Sequence, residues 1–481
     1  ALGSSEYIIS SPVETQLYNA TKLSGRTRSG LGLGLFNALS APAYAVIGNE
    51  EDGTEREALF YPLTNHNMVV FDQNLRNNSY VSLVNSNVTR DGESYDANVT
   101  ATQYEIRSKS NMFSLSGKGA FNKKFNFSDT ESDEGYMWET GVSKISGNLT
   151  GGVGTTIESK YYDPNDMGFL VNPNQLTYWA YAYYNIFEPF GPFNRLWSSA
   201  NVYYDNLYQP NTFTSAGMNA ELGWMTKTWQ AYGIQLELIP VRGWDYFDPR
   251  VDGYVFRTPI SQTIGGWVST DYRKTFALDA STFYGTSSFP GSYNWSYRIS
   301  PRCRVNDHLM FIYVYSFQSD NKDIGFADLY SDDEGNSLPV MGTRDVISHT
   351  NVLTTNYAVN PNMIATCRVR HYWGFSRYYQ FHGLDPWGEL TATPYEGMNA
   401  DGSTIADDSF NSFTIDLQYK WIFKPGSELT VVWKNAIVNF ENEIPDNLLD
   451  DVNRLFDMPQ SNSLSLKVLY FLDYNSLVRR G

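Results

Sequence analysis

Phe413-Thr414-Ile415-Asp416-Leu417-Gln418-Tyr419-Lys420-Trp421-Ile422-Phe423 is two sequences interleaved. Successive side chains of an extended chain point to opposite faces. Phe413, Ile415, Leu417, Tyr419, Trp421 and Phe423 therefore share one face, and Thr414, Asp416, Gln418 and Lys420 share the other. The same alternation runs through Phe213–Trp224, where Ala216, Met218, Ala220, Leu222 and Trp224 oppose Ser215, Gly217, Asn219, Glu221 and Gly223. It returns in Ser463–Tyr474, where Leu464, Leu466, Val468, Tyr470, Leu472 and Tyr474 oppose Ser463, Ser465, Lys467 and Asp473. Ordinary globular strands run to about 5–6 residues, whereas a tilted strand crossing a bilayer needs about 9–11. These segments have the second length.

Composition points the same way. The chain has 481 residues, 42% hydrophobic and 16% aromatic, yet only 18% charged. Soluble domains carry about 25% charged residues. No stretch approaches the ~18 consecutive apolar residues of a membrane helix, so a membrane-spanning reading requires strands closed into a barrel, the other way to satisfy every backbone polar group. Ala1–Ser11 lacks the basic start and apolar core of a signal peptide. A mature chain or a piece of a longer one is expected.

Joints between the segments alternate in length. Short turns are expected at Arg26–Gly30, Arg76–Asn78, Ser108–Ser110, Gly147–Asn148, Glu188–Phe193, Lys227–Thr228, Arg273–Lys274, Asn306–Asp307, Asn360–Asn362 and Lys424–Gly426. Longer polar connections fall between them at Ser40–His66, Lys123–Glu134, Tyr161–Pro173, Val241–Gln262, Gln318–Gly342, Tyr379–Asp408 and Glu441–Ser461. Short periplasmic turns and long external loops are the asymmetry of outer-membrane barrels. A propeller would instead repeat every ~40–50 residues, and no such repeat occurs. The expected fold is all-β: a large antiparallel transmembrane barrel occupying 17–481, preceded by a segment 1–16 that enters the lumen or connects upstream. About 21 segments can be counted from Leu17–Thr27 onward. Bacterial barrels have even strand numbers, so about 22 are expected, the missing partner lying in Ser4–Val13 or upstream.

Aromatic residues cluster near segment ends (Tyr178, Trp179, Tyr181, Tyr183, Tyr184, Phe187, then Trp197, Tyr203, Tyr204), as interfacial girdles do. The terminal segment, with Leu466, Val468, Tyr470, Leu472 and Tyr474, is similar to the β-signal that barrel-assembly machinery recognises. Cys303 and Cys367 fall on strands that are not neighbours and read as wall residues, not a disulfide.

Net charge is −17 and the pI near 4.7. Acidic residues gather in the proposed loops: Asn49–Glu57, Asp129–Glu134, Asp320–Glu334, Asp401–Asp408 and Glu441–Asp457. With no basic stripe to neutralise phosphates, nucleic acid is not an expected partner. Solvated loops explain these acids best; a structural Ca²⁺ is the sharper option, with Asp163, Asp166, Asp332 and Asp333 as its candidates, although neither loop has full calcium-loop spacing. The five histidines are scattered, with no zinc or nucleophile motif. No catalytic residues are assigned and no enzyme is expected. The alternative, an outer-membrane lipase or protease, has only His371 on the apolar side of its strand to recommend it, and no serine partner. The polar side is more informative. Glu105, Arg107, Glu221, Glu237, Asp279, Arg368, Arg370, Asp416, Lys420 and Lys434 all alternate with apolar neighbours and are expected to line the lumen. A barrel of this size is usually plugged. No plug-sized segment is visible, so obstruction is expected from folded-in loops, residues 1–16, an upstream domain or a partner.

The residues also carry a family resemblance. Lys22-Leu23-Ser24-Gly25-Arg26-Thr27-Arg28-Ser29-Gly30-Leu31-Gly32-Leu33-Gly34-Leu35-Phe36-Asn37-Ala38, Asn74–Val81, Asp163–Phe169 and Leu469–Asn475 resemble segments of a Bacteroidota outer-membrane family. Its members join an N-terminal domain similar to family-nine carbohydrate-binding modules to a large C-terminal domain of uncharacterised function. The resemblance covers nearly the whole chain and implies its C-terminal barrel portion, with carbohydrate binding implied for an intact relative. The resulting expectation is a multi-pass outer-membrane barrel in contact with lipid and lipopolysaccharide. Its role would be to transport saccharides or other nutrients, or to anchor a surface complex with lipoprotein, periplasmic or glycan partners.

Overall fold

The computed structural model describes residues 3, 5–12, 15–50, 52–126, 133–398 and 404–471. The fold is nearly all β, with 22 strands in antiparallel sheet and one short helix, Leu448–Leu455, among the described residues. Among the described residues no helix is long and apolar enough to cross a membrane. The chain forms two compact units, Ala1–Tyr184 with Asn201–Ser215, and Asn185–Ala200 with Ala216–Gly481.

In the first unit, Leu17–Arg26 pairs with Leu31–Ser40, which pairs with Thr64–Asn74. Each later strand, through Gln175–Ile186, then pairs with its predecessor in the chain. In the second, the succession runs from Phe213–Thr226 to Ser461–Leu469 in the same manner. Twenty-one of the 22 strands have nine residues or more, and the remaining one is the two-residue Leu390–Thr391 beside the end of Met363–Leu384.

The turns follow backbone chemistry. Asn77 and Asn78 both have positive φ, 58° and 56°, and Leu75 N donates to Ser79 O at 2.7 Å. Two left-handed residues twist a tight hairpin in the sense of its strands, and asparagine tolerates that conformation.

Four expectations need correction. Glu6–Ser10 is a strand, yet it pairs with Ala43–Asn49 in a separate three-stranded sheet completed by Glu55–Tyr61, so the described residues of Ser4–Val13 contribute no partner to the large sheet. Ser40–His66 is therefore largely this hairpin and not an irregular loop; Ala45 and Ile47, 3% and 6% exposed, give it a small core. Gln318–Gly342 is mostly strand: Leu309–Ser331 and Ser337–Asn360 stay paired up to a turn at Asp332–Asn336, because Ser331 still finds Ser337 opposite. The terminal strand ends at Leu469, with Tyr470 beyond it; Leu472 and Tyr474 lie outside the described residues. Cys303 and Cys367 are free.

Glycine matters where an aromatic ring lies flat on a neighbouring strand. A Cβ at Gly233 would sit 2.2 Å from Trp267 Nε1, and one at Gly223 would sit 2.3 Å from Trp197 Cε2. The two indoles stack on each other, with centroids 6.0 Å apart. Gly233→Ala should displace the Trp267 ring and cost about 1–3 kcal/mol, as overpacking does. Urea unfolding followed by tryptophan fluorescence measures this; an unchanged midpoint would show that the indole can move freely.

Candidate functional site

Residues opposed in register share a face of the sheet, so the pairings sort the side chains. In the first unit Glu105 faces Tyr80 on one side and Ser116 on the other, and Arg107 pairs with Glu105 at 2.8 Å. Lys118 and Glu139 follow on the same face, 3.2 Å apart. The opposite face carries Leu33, Leu35, Phe71, Leu83, Ile106, Leu115, Trp138 and Val153, all exposed. Large apolar side chains left bare on one continuous face mark a surface that meets something other than water.

The second unit repeats this division. Its apolar face exposes Ile234, Ile264, Trp295, Phe311, Leu353, Leu417, Trp433 and Leu464, from 36% for Phe311 and Trp433 to 74% for Leu464. Its polar face has an acidic stretch followed by a basic one. Glu221 accepts from Gln235 Nε2 at 3.2 Å and Trp197 Nε1 at 3.4 Å. Glu237 opposes Asn219 and Thr263, and Asp279 accepts from Ser269 Oγ at 2.6 Å and from Tyr272.

From Tyr293–Arg304 onward the sign changes. Arg302, Ile312, Thr354, Arg368, Asp416, Lys434 and Ser463 form one register row across seven strands. Arg370 stands two residues from Arg368, and Lys420 opposes Thr430, which opposes Lys467. With Arg298 and Arg304, eight basic side chains occupy this wall from the Arg298 level to the turns, against two carboxylates, Asp416 and Glu428. Both carboxylates are engaged, Asp416 by Arg370 and Glu428 by Lys420. Among the described residues Arg298, Arg304, Arg368, Lys434 and Lys467 have no acidic partner. Neighbouring strands lie ~4.8 Å apart, which places Arg368 and Lys434, two strands apart, about 10 Å from each other. At that distance one unpaired cation attracts an anion by about 0.4 kcal/mol even at water's dielectric constant, and several act together.

All ten charges singled out by alternation thus lie on the polar face, two in the first unit and eight in the second. The structure gathers Arg368, Arg370, Asp416, Lys420 and Lys434 into one patch and leaves Glu221, Glu237 and Asp279 on earlier strands. Sequence reasoning missed Arg298, Arg302 and Arg304. Their signal was present: they alternate with Tyr297, Ile299 and Cys303.

Aromatic rings also lie on the polar face. In the first unit Trp179, Tyr181 and Tyr183 follow one another along a strand, with centroids 6.0 and 5.1 Å apart. Trp179 lies against Gly141 and Gly154.

The calcium candidates are otherwise engaged. Lys124 Nζ donates to Asp163 at 2.7 Å, and Arg90 pairs with Asp166. These contacts draw the connection after Leu149–Glu158 over the polar face of the first unit, where Asn122 also accepts from Asp163 N at 3.1 Å. Asp332 caps its own turn, accepting from Glu334 N and Asn336 N at 2.9 and 2.8 Å, and Asp333 stands exposed beside it. No group of three metal-ligating side chains forms among the described residues. Burial alone would raise the Asp163 carboxyl, but Lys124 and Asn165 outweigh it and hold it below the usual aspartate value. A depressed folded value means stabilisation that is present above the unfolded pKa of ~3.9 and lost as pH falls through the folded one. Hydrogen exchange across 161–171, corrected for intrinsic rates, should show protection falling on acidification below about pH 4; a flat profile would mean the ion pair does not hold the loop.

His371 has an acidic partner, and among the described residues no serine bonds to it. Its Nε2 lies 3.1 Å from Asp451 Oδ2, and Asn411 Nδ2 donates to Asp451 Oδ1 at 2.7 Å, all three buried. Asp451 belongs to the helix Leu448–Leu455, whose Asn447 side chain caps the first turn. The network pins the helix to the apolar-side parity of Met363–Leu384 and Asp408–Lys424. Asp451→Ala leaves two buried polar side chains without their partner, a loss of about 1–3 kcal/mol. Faster proteolytic cleavage within 442–460 is the expected readout, and wild-type cleavage rates would show that Leu455 packing alone suffices.

A family model described as a domain of unknown function, DUF5916, matches residues 1–480. No curated protein matches the sequence. Among solved structures the chain is similar to CdiB from Escherichia coli, at 10% identity and a TM-score of 0.27, covering 89% of this chain and 67% of that one.

Proposed function

We propose, for a chain that belongs to the DUF5916 family across residues 1–480, a non-enzymatic outer-membrane β-barrel that transports saccharides or related nutrients. The two-faced sheet carries the reading: within each unit the exposed apolar side chains, from Leu33 to Val153 or from Ile234 to Leu464, share one face, and the charges from Glu105 to Lys434 lie on the other. Strands of nine to 24 residues meet the ~9–11 needed to cross a bilayer, and closure would remove the open edges that lipid does not tolerate. Trp179, Tyr181 and Tyr183 on the wet side offer flat apolar surfaces of the kind that sugar rings stack on. A Bacteroidota source, and a carbohydrate-binding-like domain in the intact protein, belong to the same reading.

A second role, membrane anchor of a surface complex with lipoprotein, periplasmic or glycan partners, draws on the three consecutive strands Leu309–Ser331, Ser337–Asn360 and Met363–Leu384. At 22 to 24 residues they are about twice what a crossing requires. Beyond the bilayer level they would stand as an external projection. Phe256, Met341 and Leu384 form a buried cluster there, and Glu389 receives both Arg242 and Arg257, at 2.9 and 3.2 Å.

Two measurements test the proposal. Carbonate washing should leave the protein in the membrane fraction, and release without detergent would end the barrel reading. Purified protein in planar bilayers should conduct, with current reduced by added oligosaccharide and the reduction weakened in Trp179→Ala. Absence of any current would instead favour the anchor role.

A further inference from the structure

We infer that the cargo of this wall is anionic: a solute bearing carboxylate or phosphate groups is held or passed along the basic patch around Arg368, Arg370 and Lys434. The inference rests on the transport reading and adds a substrate class to it.

The whole chain carries −17, so random placement would make any patch acidic. From the Arg298 level to the turns, the polar face from Tyr293–Arg304 to Ser461–Leu469 does the reverse, eight cations against two engaged carboxylates. A wall kept only for solubility would carry mixed signs. A structural network would pair its cations, as Arg107, Lys118 and Arg344 are paired elsewhere in the chain. Here Arg298, Arg304, Arg368, Lys434 and Lys467 have no such partner among the described residues, and Arg298, Arg304, Arg368, Lys434 and Lys467 are exposed. Arg302 is held against the ring of Tyr272, 4.3 Å from its centroid, and its Nε is buried without a hydrogen-bond partner. Arginine presents a planar fork of donors that matches carboxylate and phosphate oxygens. Its prevalence here, five of the eight, fits recognition of an oxyanion better than general attraction. Asp416 sits between Arg368 and Lys434 in the same row. One anion within a cationic patch keeps binding weak enough for release, as passage requires.

The test is the reversal potential of the purified full chain in planar bilayers under a tenfold KCl gradient, read for wild type and for Arg368→Glu/Lys434→Glu. Wild type should favour chloride over potassium by at least about threefold, and inorganic phosphate should block the chloride current. The double charge reversal should shift the ratio toward potassium and abolish phosphate block. A cation-selective wild type, or a selectivity that the substitutions leave unmoved, overturns the inference while the current itself upholds the transport reading. Failure of wild type to conduct removes the transport reading, and the inference falls with it. The wild-type measurement stands whether or not the variant folds.

Discussion

The pairing of each strand with the next along the chain is the constraint on which everything else rests. A backbone amide without a partner is costly away from water, and antiparallel pairing satisfies it without help from side chains. Because the side-chain period is two, register then decides which face each residue occupies, and a slip of one position would exchange the faces. Register rows carry that decision from strand to strand. Arg302 and Lys434, far apart in sequence, come to share a row only because the intervening strands pair without a shift at that level.

Charge is distributed against the average. The acidic excess sits largely in connections, while the second unit's later strands carry unpaired arginines and lysines on their polar face. The separation follows from cost. Unpaired charge is tolerated on a wetted wall and in solvated loops, but not on a face that lipid or packed protein covers. On the apolar side, His371 and Asn411 are enclosed beneath the helix and bonded to its Asp451.

Connections do more than join strands. The segment after Leu149–Glu158 is tied back over the polar face through Lys124 and Arg90, and Glu389 ties the 241–262 and 379–408 connections together. Each uses ion pairs between loop and strand, or between loops, so these parts of the surface are held by specific charges and not only by chain geometry. The Glu389 pairs are partly exposed, so their worth is modest and salt-dependent, whereas Arg90–Asp166 is largely buried. The restraint at Glu389 is therefore one that ionic strength can loosen without unfolding the sheet.

The alternating segments, their unusual length and the turn chemistry at Asn77 and Asn78 were legible in the amino-acid order alone, because strand geometry and positive φ are local properties. So was the membership of Glu105 in the first unit's polar face, and of Arg368, Asp416 and Lys434 in the second's, since parity needs no knowledge of neighbours. Which of those charges meet was not legible. The Arg370–Asp416 pair, the engagement of Asp163 by Lys124, the Asp451 partner of His371 and the diversion of Glu6–Ser10 into a separate sheet depend on which strand lies beside which, and at what register. That is a long-range choice, made when many weak pairings compete for the same backbone groups, and only the folded structure records its outcome.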